Sequence, residues 1–123
     1  VENDSLTQKI IGVCFEIHNE LGAGFIEKVY ENALRIAFEQ EGLNVRQQEP
    51  ILVHFRGQVV GEYLADRIVN GSVLIELRAV KHLLPEHQSQ LINYLKAADI
   101  EIGLLINFAT PRFDVKRGES RNY

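Results

Sequence analysis

Four charged residues could do chemistry together: Glu27, Asp66, Glu76 and Arg78. The last two stand in Val73–Val80, where Val73, Ile75, Leu77 and Ala79 are apolar and the alternate positions carry Leu74, Glu76 and Arg78. Alternate residues of a strand share a face and lie about 7 Å apart, close enough to act on one ligand. Hard divalent cations such as Mg²⁺ prefer carboxylate oxygens, bridge to phosphate oxygens and lower the pKa of a bound water for in-line attack. Three carboxylates and a fixed cation therefore point to metal-assisted phosphoryl chemistry. The bland alternative is a set of solvated sheet-edge charges, with Arg78 pairing one carboxylate for little gain.

The elements that must position these residues are legible from hydrophobic spacing. Ser5-Leu6-Thr7-Gln8 has the form of a capping box, and Leu6, Ile10, Val13, Ile17 and Leu21 recur at helical spacing up to Gly22. After Gly22-Ala23-Gly24 a second stripe, from Ile26 through Tyr30 and Leu34 to Phe38, predicts another helix closed by Gly42. Glu27 falls in its first turn, where the helix dipole alone would favour a carboxylate.

From Val45 the period shortens to two, predicting a strand up to the Gly57 turn, a second over Val59–Val69 and a third over Val73–Val80. Pro85 suits the first turn of a third helix carrying Leu91, Ile92 and Leu95 on one side. His87, Gln90, Tyr94 and Ala97 form the adjacent stripe, and Ile102–Ile106 reads as a strand covered on both faces. Two helices, three antiparallel strands, a helical crossover and a parallel strand make an α/β (α+β) domain over 1–109 with a small mixed sheet flanked by helices. Residues 110–123 carry Arg112, Lys116, Arg117 and Arg121 and are expected to be an edge element or a basic tail.

One register decides whether the charges can cooperate. A two-residue Asn70-Gly71 hairpin loop pairs Val69 with Ser72 and puts Asp66 on the wrong face from Glu76. A loop of odd length, for example one that places Ile68 opposite Ser72, returns Asp66 to the face of Glu76. The shared site requires the odd loop.

Composition bounds the rest. At 123 residues, with 46% apolar and 24% charged, the chain suits one globular domain with one core. A net charge of −4 argues against coating nucleic acid by bulk electrostatics but leaves room for a local site. Cys14 is the single cysteine, so neither an internal disulfide nor a cysteine-based zinc site is available. No run approaches a membrane span, and the first residues do not resemble a signal peptide, so a cytoplasmic setting without membrane contact is expected. Cys14 reads as a buried core residue, and His18 and His54 as structural or exposed groups rather than ligands.

Gly24-Phe25-Ile26-Glu27-Lys28-Val29-Tyr30 resembles the signature of the GxxExxY proteins, a group within the PD-(D/E)XK nuclease superfamily. The likeness extends over His18-Asn19-Glu20-Leu21-Gly22, Asp66, Ile75-Glu76-Leu77-Arg78-Ala79-Val80, Gln90 to Leu95 and Gly103 to Phe108. It implies a restriction-endonuclease-like core and a Mg²⁺- or Mn²⁺-dependent nuclease acting on DNA. Glu27, Asp66 and Glu76 are then the metal-binding acids, and Tyr30, Gln90 and Tyr94 the substrate-positioning residues. Cutting both strands of a duplex with one small site favours a homodimer.

The superfamily pattern has Lys where this chain has Arg78. Arginine keeps the charge and clamps phosphate, but it is effectively never deprotonated, so a general-base role is lost and reduced activity is expected. Lys81 and Lys96 are weak substitutes: by alternation Lys81 faces away from Glu76 unless the strand has ended. Two readings of other classes stand beside the nuclease: an inactive domain of the same fold that binds nucleic acid or a protein, and a small structural or regulatory protein that dimerises through a sheet edge.

Overall fold

The spacing of apolar residues produces two helices before any strand in the computed structural model, which describes residues 4–120. Helix α1 (Asp4–Leu21) buries Ile10, Val13, Cys14 and Ile17. Asp4 is already helical, so Ser5 lies inside the helix and is not the cap that its capping-box pattern suggested. Helix α2 (Glu27–Gln40) buries Tyr30, Leu34 and Phe38, one residue per turn. It ends as expected at Gly42: with φ of 70° this glycine lets Gly42 N–H reach Glu39 O and Leu43 N–H reach Phe38 O, each at 3.1 Å. Those two bonds are the paired closure of a Schellman motif.

Five strands follow in spatial order β1-β2-β3-β4-β5. Strands β1 (Val45–Phe55) and β2 (Gln58–Val69) form a long antiparallel hairpin across Arg56 and Gly57, both at positive φ. Strand β3 (Val73–Arg78) pairs antiparallel with β2. Helix α3 (Pro85–Ala98) then carries the chain across the sheet to β4 (Ile102–Asn107), which is parallel to β3. Strand β5 (Asp114–Glu119), within the basic C-terminal segment, adds an antiparallel edge to β4.

The sheet is covered on both faces. On one, α1 and α2 pack Ile10, Tyr30, Leu34 and Phe38 over Ile75, Leu77, Leu104 and Ile106. On the other, Leu91, Tyr94 and Leu95 of α3 pack over Ile68, Leu74 and Leu105. Burial of all of β4 and of β3 up to Leu77 explains their nearly continuous apolar sequence. Gly103 is what lets α3 lie this close, because a Cβ there would meet Leu91 Cδ1 at 2.8 Å.

Strand β3 stops two residues short of the expected Val80. Beyond Arg78 the ladder is replaced by a side chain: the buried Asn107 accepts from Val80 N–H at 3.1 Å and donates to Val80 O at 2.8 Å. Asn107 also accepts from Ala109 N–H at 3.2 Å, so one amide fixes the exits of two central strands. Among the described residues no helix is long and apolar enough to cross a membrane.

Candidate active site

Register is settled at the tip of the β2–β3 hairpin. Asn70 and Gly71 take positive φ of 51° and 66°, and Ser72 N–H closes the turn on Val69 O at 3.0 Å. Ser72 is then an additional residue, because pairing begins with Val69 opposite Val73 and continues through Ile68–Leu74 and Arg67–Ile75. The connection therefore has the odd length that a shared site demands, although the pairing differs from Ile68 opposite Ser72. Asp66 follows as the residue directly across from Glu76.

At that point the two strands part. Regular pairing stops at Arg67–Ile75, and the freed backbone donors turn to the carboxylates: Asp66 N–H donates to Glu76 Oε1 at 3.3 Å, and Leu77 N–H to Asp66 Oδ2 at 3.0 Å. The acids thereby cross-brace the fork and are fixed in orientation. On the outer side, Gln48 lies across from Asp66 with φ of 53° and no ladder partner, so the sheet is also irregular there.

Arg78 completes the cluster. Its Nη1 lies 3.5 Å from Glu76 Oε2 and 3.6 Å from Asp66 Oδ2, and it donates to Leu77 O at 2.8 Å. One guanidinium nitrogen thus serves both carboxylates at ion-pair distance. Burial, and then the negative charge of Asp66, push the Glu76 carboxyl up to about 8, with Arg78 opposing. Two carboxylates face each other with incomplete compensation, an arrangement that a cation relieves.

Glu27 enters from the other helical layer, at the first residue of α2. Its side chain is largely exposed, yet partial desolvation and the charge of Asp66 raise its carboxyl while Arg78 lowers it. The acid thus lies within the field of the cluster, at the solvent side. Among the described residues, however, no three His, Cys, Asp or Glu side chains converge closely enough to enclose a metal. The donor set fits a hard divalent cation through Asp66 and Glu76, both oxygen donors, with Glu27 outside their immediate contact.

Helix α3 supplies the roof. Tyr94 is buried, and its phenol is raised first by burial and then by the charge of Glu76. Gln90 Nε2 donates to Tyr94 Oη at 2.7 Å, joining the two residues expected to position substrate. Tyr63 of β2 packs its ring 4.9 Å from that of Tyr94, and an open cleft of about 520 Å³ runs past Tyr63, Gln90, Asn93 and Tyr94.

The structure does not bring Tyr30 to this cleft. Its side chain is fully buried and stacks on Phe108 at 4.6 Å, while its hydroxyl donates to Gly22 O at 2.6 Å and accepts from Phe25 N–H at 3.3 Å. With its hydrogen bonds made to backbone, Tyr30 braces the loop leading into Glu27 instead of touching substrate. His18 is structural, donating through Nε2 to Thr110 O at 2.8 Å, and Cys14 is buried with its thiol pushed far up by desolvation. His54 and Lys81 are exposed. Because β3 has ended before Lys81, strand alternation no longer dictates its direction.

Three residues beside the acids escaped the sequence reading. Asn107 is a polar side chain closing an apolar run, which is itself a sign of a satisfied buried amide. Tyr63 is an exposed aromatic on an alternating strand and gave no local signal. Arg67, next to Asp66, is 3% exposed on the α2 face; Nη2 reaches Glu31 O at 3.4 Å, whereas Nε and Nη1 are buried without a partner.

Comparison with known proteins agrees with this fold. No curated protein matches the chain. The crystal structure of SSO0001 superposes with a TM-score of 0.59 over 75% of this chain and 48% of that chain, at 22% identity, a likeness of fold. This chain thus spans about half of that structure's length. The family model described as the PD-(D/E)XK nuclease superfamily matches residues 4–118, which takes in both helical layers, all of the paired sheet but its last residue, and every residue of the acidic cluster. The chain belongs to the PD-(D/E)XK nuclease superfamily.

Proposed function

We propose that this domain is a divalent-metal-dependent nuclease that hydrolyses DNA phosphodiester bonds, within the GxxExxY group of its superfamily. The observation that carries the reading is the cross-bracing of Asp66 and Glu76, which orients two carboxylates on one face beside a permanent cation. Asp66 and Glu76, with Glu27 as the outer acid, would hold Mg²⁺ or Mn²⁺, which would supply Lewis acidity and lower the pKa of a bound water.

The chain's own groups do the rest. Arg78 stabilises charge that develops on the phosphate and cannot act as a base. Gln90 donates to the Tyr94 oxygen, which leaves the Tyr94 O–H free to donate to a phosphate oxygen in the cleft. Tyr63 offers an aromatic face to a base beside it. A cytoplasmic setting and a homodimer that cuts both strands complete this reading.

A second reading has a specific observation in its favour. Arg78 stands at ion-pair distance from both acids, as it would in a nuclease fold that has ceased to cut and only binds nucleic acid or a protein. The test is cleavage of single-stranded, duplex and branched DNA with Mn²⁺ or EDTA by wild type, Glu76→Ala and Arg78→Lys. Mn²⁺-dependent cutting by wild type that disappears in Glu76→Ala is expected. Cutting by Arg78→Lys alone identifies a decayed nuclease, and inactivity of all three refutes the hydrolase.

A further inference from the structure

The Asp66–Glu76 pair already has a cation of its own. Arg78 Nη1 lies 3.6 Å from Asp66 Oδ2 and 3.5 Å from Glu76 Oε2, so it competes for the same carboxylates that a divalent ion needs. Its side chain is 21% exposed at the mouth of the site, whereas that of Glu76 is 4% exposed beneath it. The acid is fixed and the guanidinium has a route outward. Only one of its bonds, to Leu77 O at 2.8 Å, is a close hydrogen bond, so the geometry that holds it inward is weak.

We propose that Arg78 acts as a resident counter-cation that keeps the carboxylate pair closed to divalent metal, and that a phosphodiester opens the site by drawing the guanidinium onto its own oxygens. This inference rests on the metal-dependent reading above and deepens it. The planar guanidinium matches phosphate oxygens in a bidentate fork, a better partner than two carboxylates reached by one nitrogen at 3.5 Å or more. Moving it outward leaves Asp66 and Glu76 uncompensated, which raises their demand for a cation at the moment substrate arrives. Linkage then requires reciprocity: polynucleotide tightens metal binding, and metal tightens polynucleotide binding by the same factor. A lysine here, with a single compact ammonium, is a weaker bridge between two carboxylates and gives a weaker form of the same coupling.

The test measures Mn²⁺ binding to the intact chain from the electron paramagnetic resonance signal of free Mn²⁺. Wild type and Arg78→Gln are compared with and without a short DNA whose scissile ester oxygens are replaced by methylene groups, after subtracting Mn²⁺ bound by that DNA alone. Wild type is expected to bind Mn²⁺ at least about fivefold more tightly with DNA than without, the lower end of ordinary allosteric coupling. Arg78→Gln is expected to bind tightly without DNA and to gain less than about twofold from it. If Arg78→Gln does not fold, as judged by circular dichroism, Arg78→Lys replaces it and is expected to show a smaller DNA effect than wild type.

Equal Mn²⁺ affinity of wild type and the variant in the absence of DNA overturns the counter-cation while leaving the metal-dependent nuclease intact. An undiminished DNA effect in the variant does the same. Absence of Mn²⁺ binding by either protein under both conditions overturns the metal reading itself.

Discussion

Replacing Glu76 by Gln in metal-free buffer should make the protein more stable at high pH, and the size of that gain follows from where the carboxyl sits. In the fold burial and Asp66 push it up to about 8, against an ordinary value of 4.5. Between those values the native state retains a proton that the unfolded chain has released, so this group's contribution falls as pH rises. The loss begins above 4.5 and is complete above 8. At about 1.4 kcal/mol per unit the ceiling is about 5 kcal/mol. The Arg78 charge and hydration at the mouth of the site reduce this, so about 2–3 kcal/mol is the expected loss. Glutamine keeps an oxygen to accept from Asp66 N–H but cannot ionise. Urea unfolding of both proteins in EDTA from pH 4.5 to 9 isolates the effect, because their other titrating groups cancel. The stability difference, variant minus wild type, should rise by about 2–3 kcal/mol across that range. A flat difference, or one that falls with pH, refutes the placement of Glu76 as a buried carboxylate crowded by Asp66.

Three further perturbations probe the scaffold. Deleting Ser72 should convert the hairpin to the even register and exchange the buried faces of β2, which costs about 4 kcal/mol or more; a deletion variant whose melting curve matches wild type contradicts the register. Asn107→Ala removes three hydrogen bonds from a buried position and leaves Val80 and Ala109 backbone groups unpaired, so a loss of about 3–5 kcal/mol is expected by urea denaturation. Arg67→Met should leave stability within about 1 kcal/mol or raise it, because two guanidinium nitrogens are buried without partners; a loss above about 3 kcal/mol shows that they are satisfied in solution.

The helices and the strand order were legible because their apolar residues repeat at 3.6 and 2, and because Gly42 and Pro85 mark an end and a start. Parity within Val73–Val80 also put Glu76 and Arg78 on one face, and the need for Asp66 to join them exposed the odd loop in advance. What stayed hidden depends on contacts between distant residues. Ser72 as the extra residue is decided by how β2 and β3 pack between two helical layers, not by the Asn70-Gly71 dipeptide. The early stop of β3 needs Asn107, 27 residues beyond Val80. Tyr30 has the spacing of a core residue and the place of a motif residue; only its bonds to Gly22 and Phe25 show which role its hydroxyl takes. Nor does any local pattern reveal that Arg78 turns inward onto both acids.

The most direct test of the central claim is anomalous diffraction from crystals grown with Mn²⁺ and a short uncleavable DNA. A Mn²⁺ peak is expected about 2.0–2.6 Å from carboxylate oxygens of both Asp66 and Glu76, with Arg78 turned to a phosphate. Bound DNA with no peak at those carboxylates and Arg78 still spanning them contradicts it.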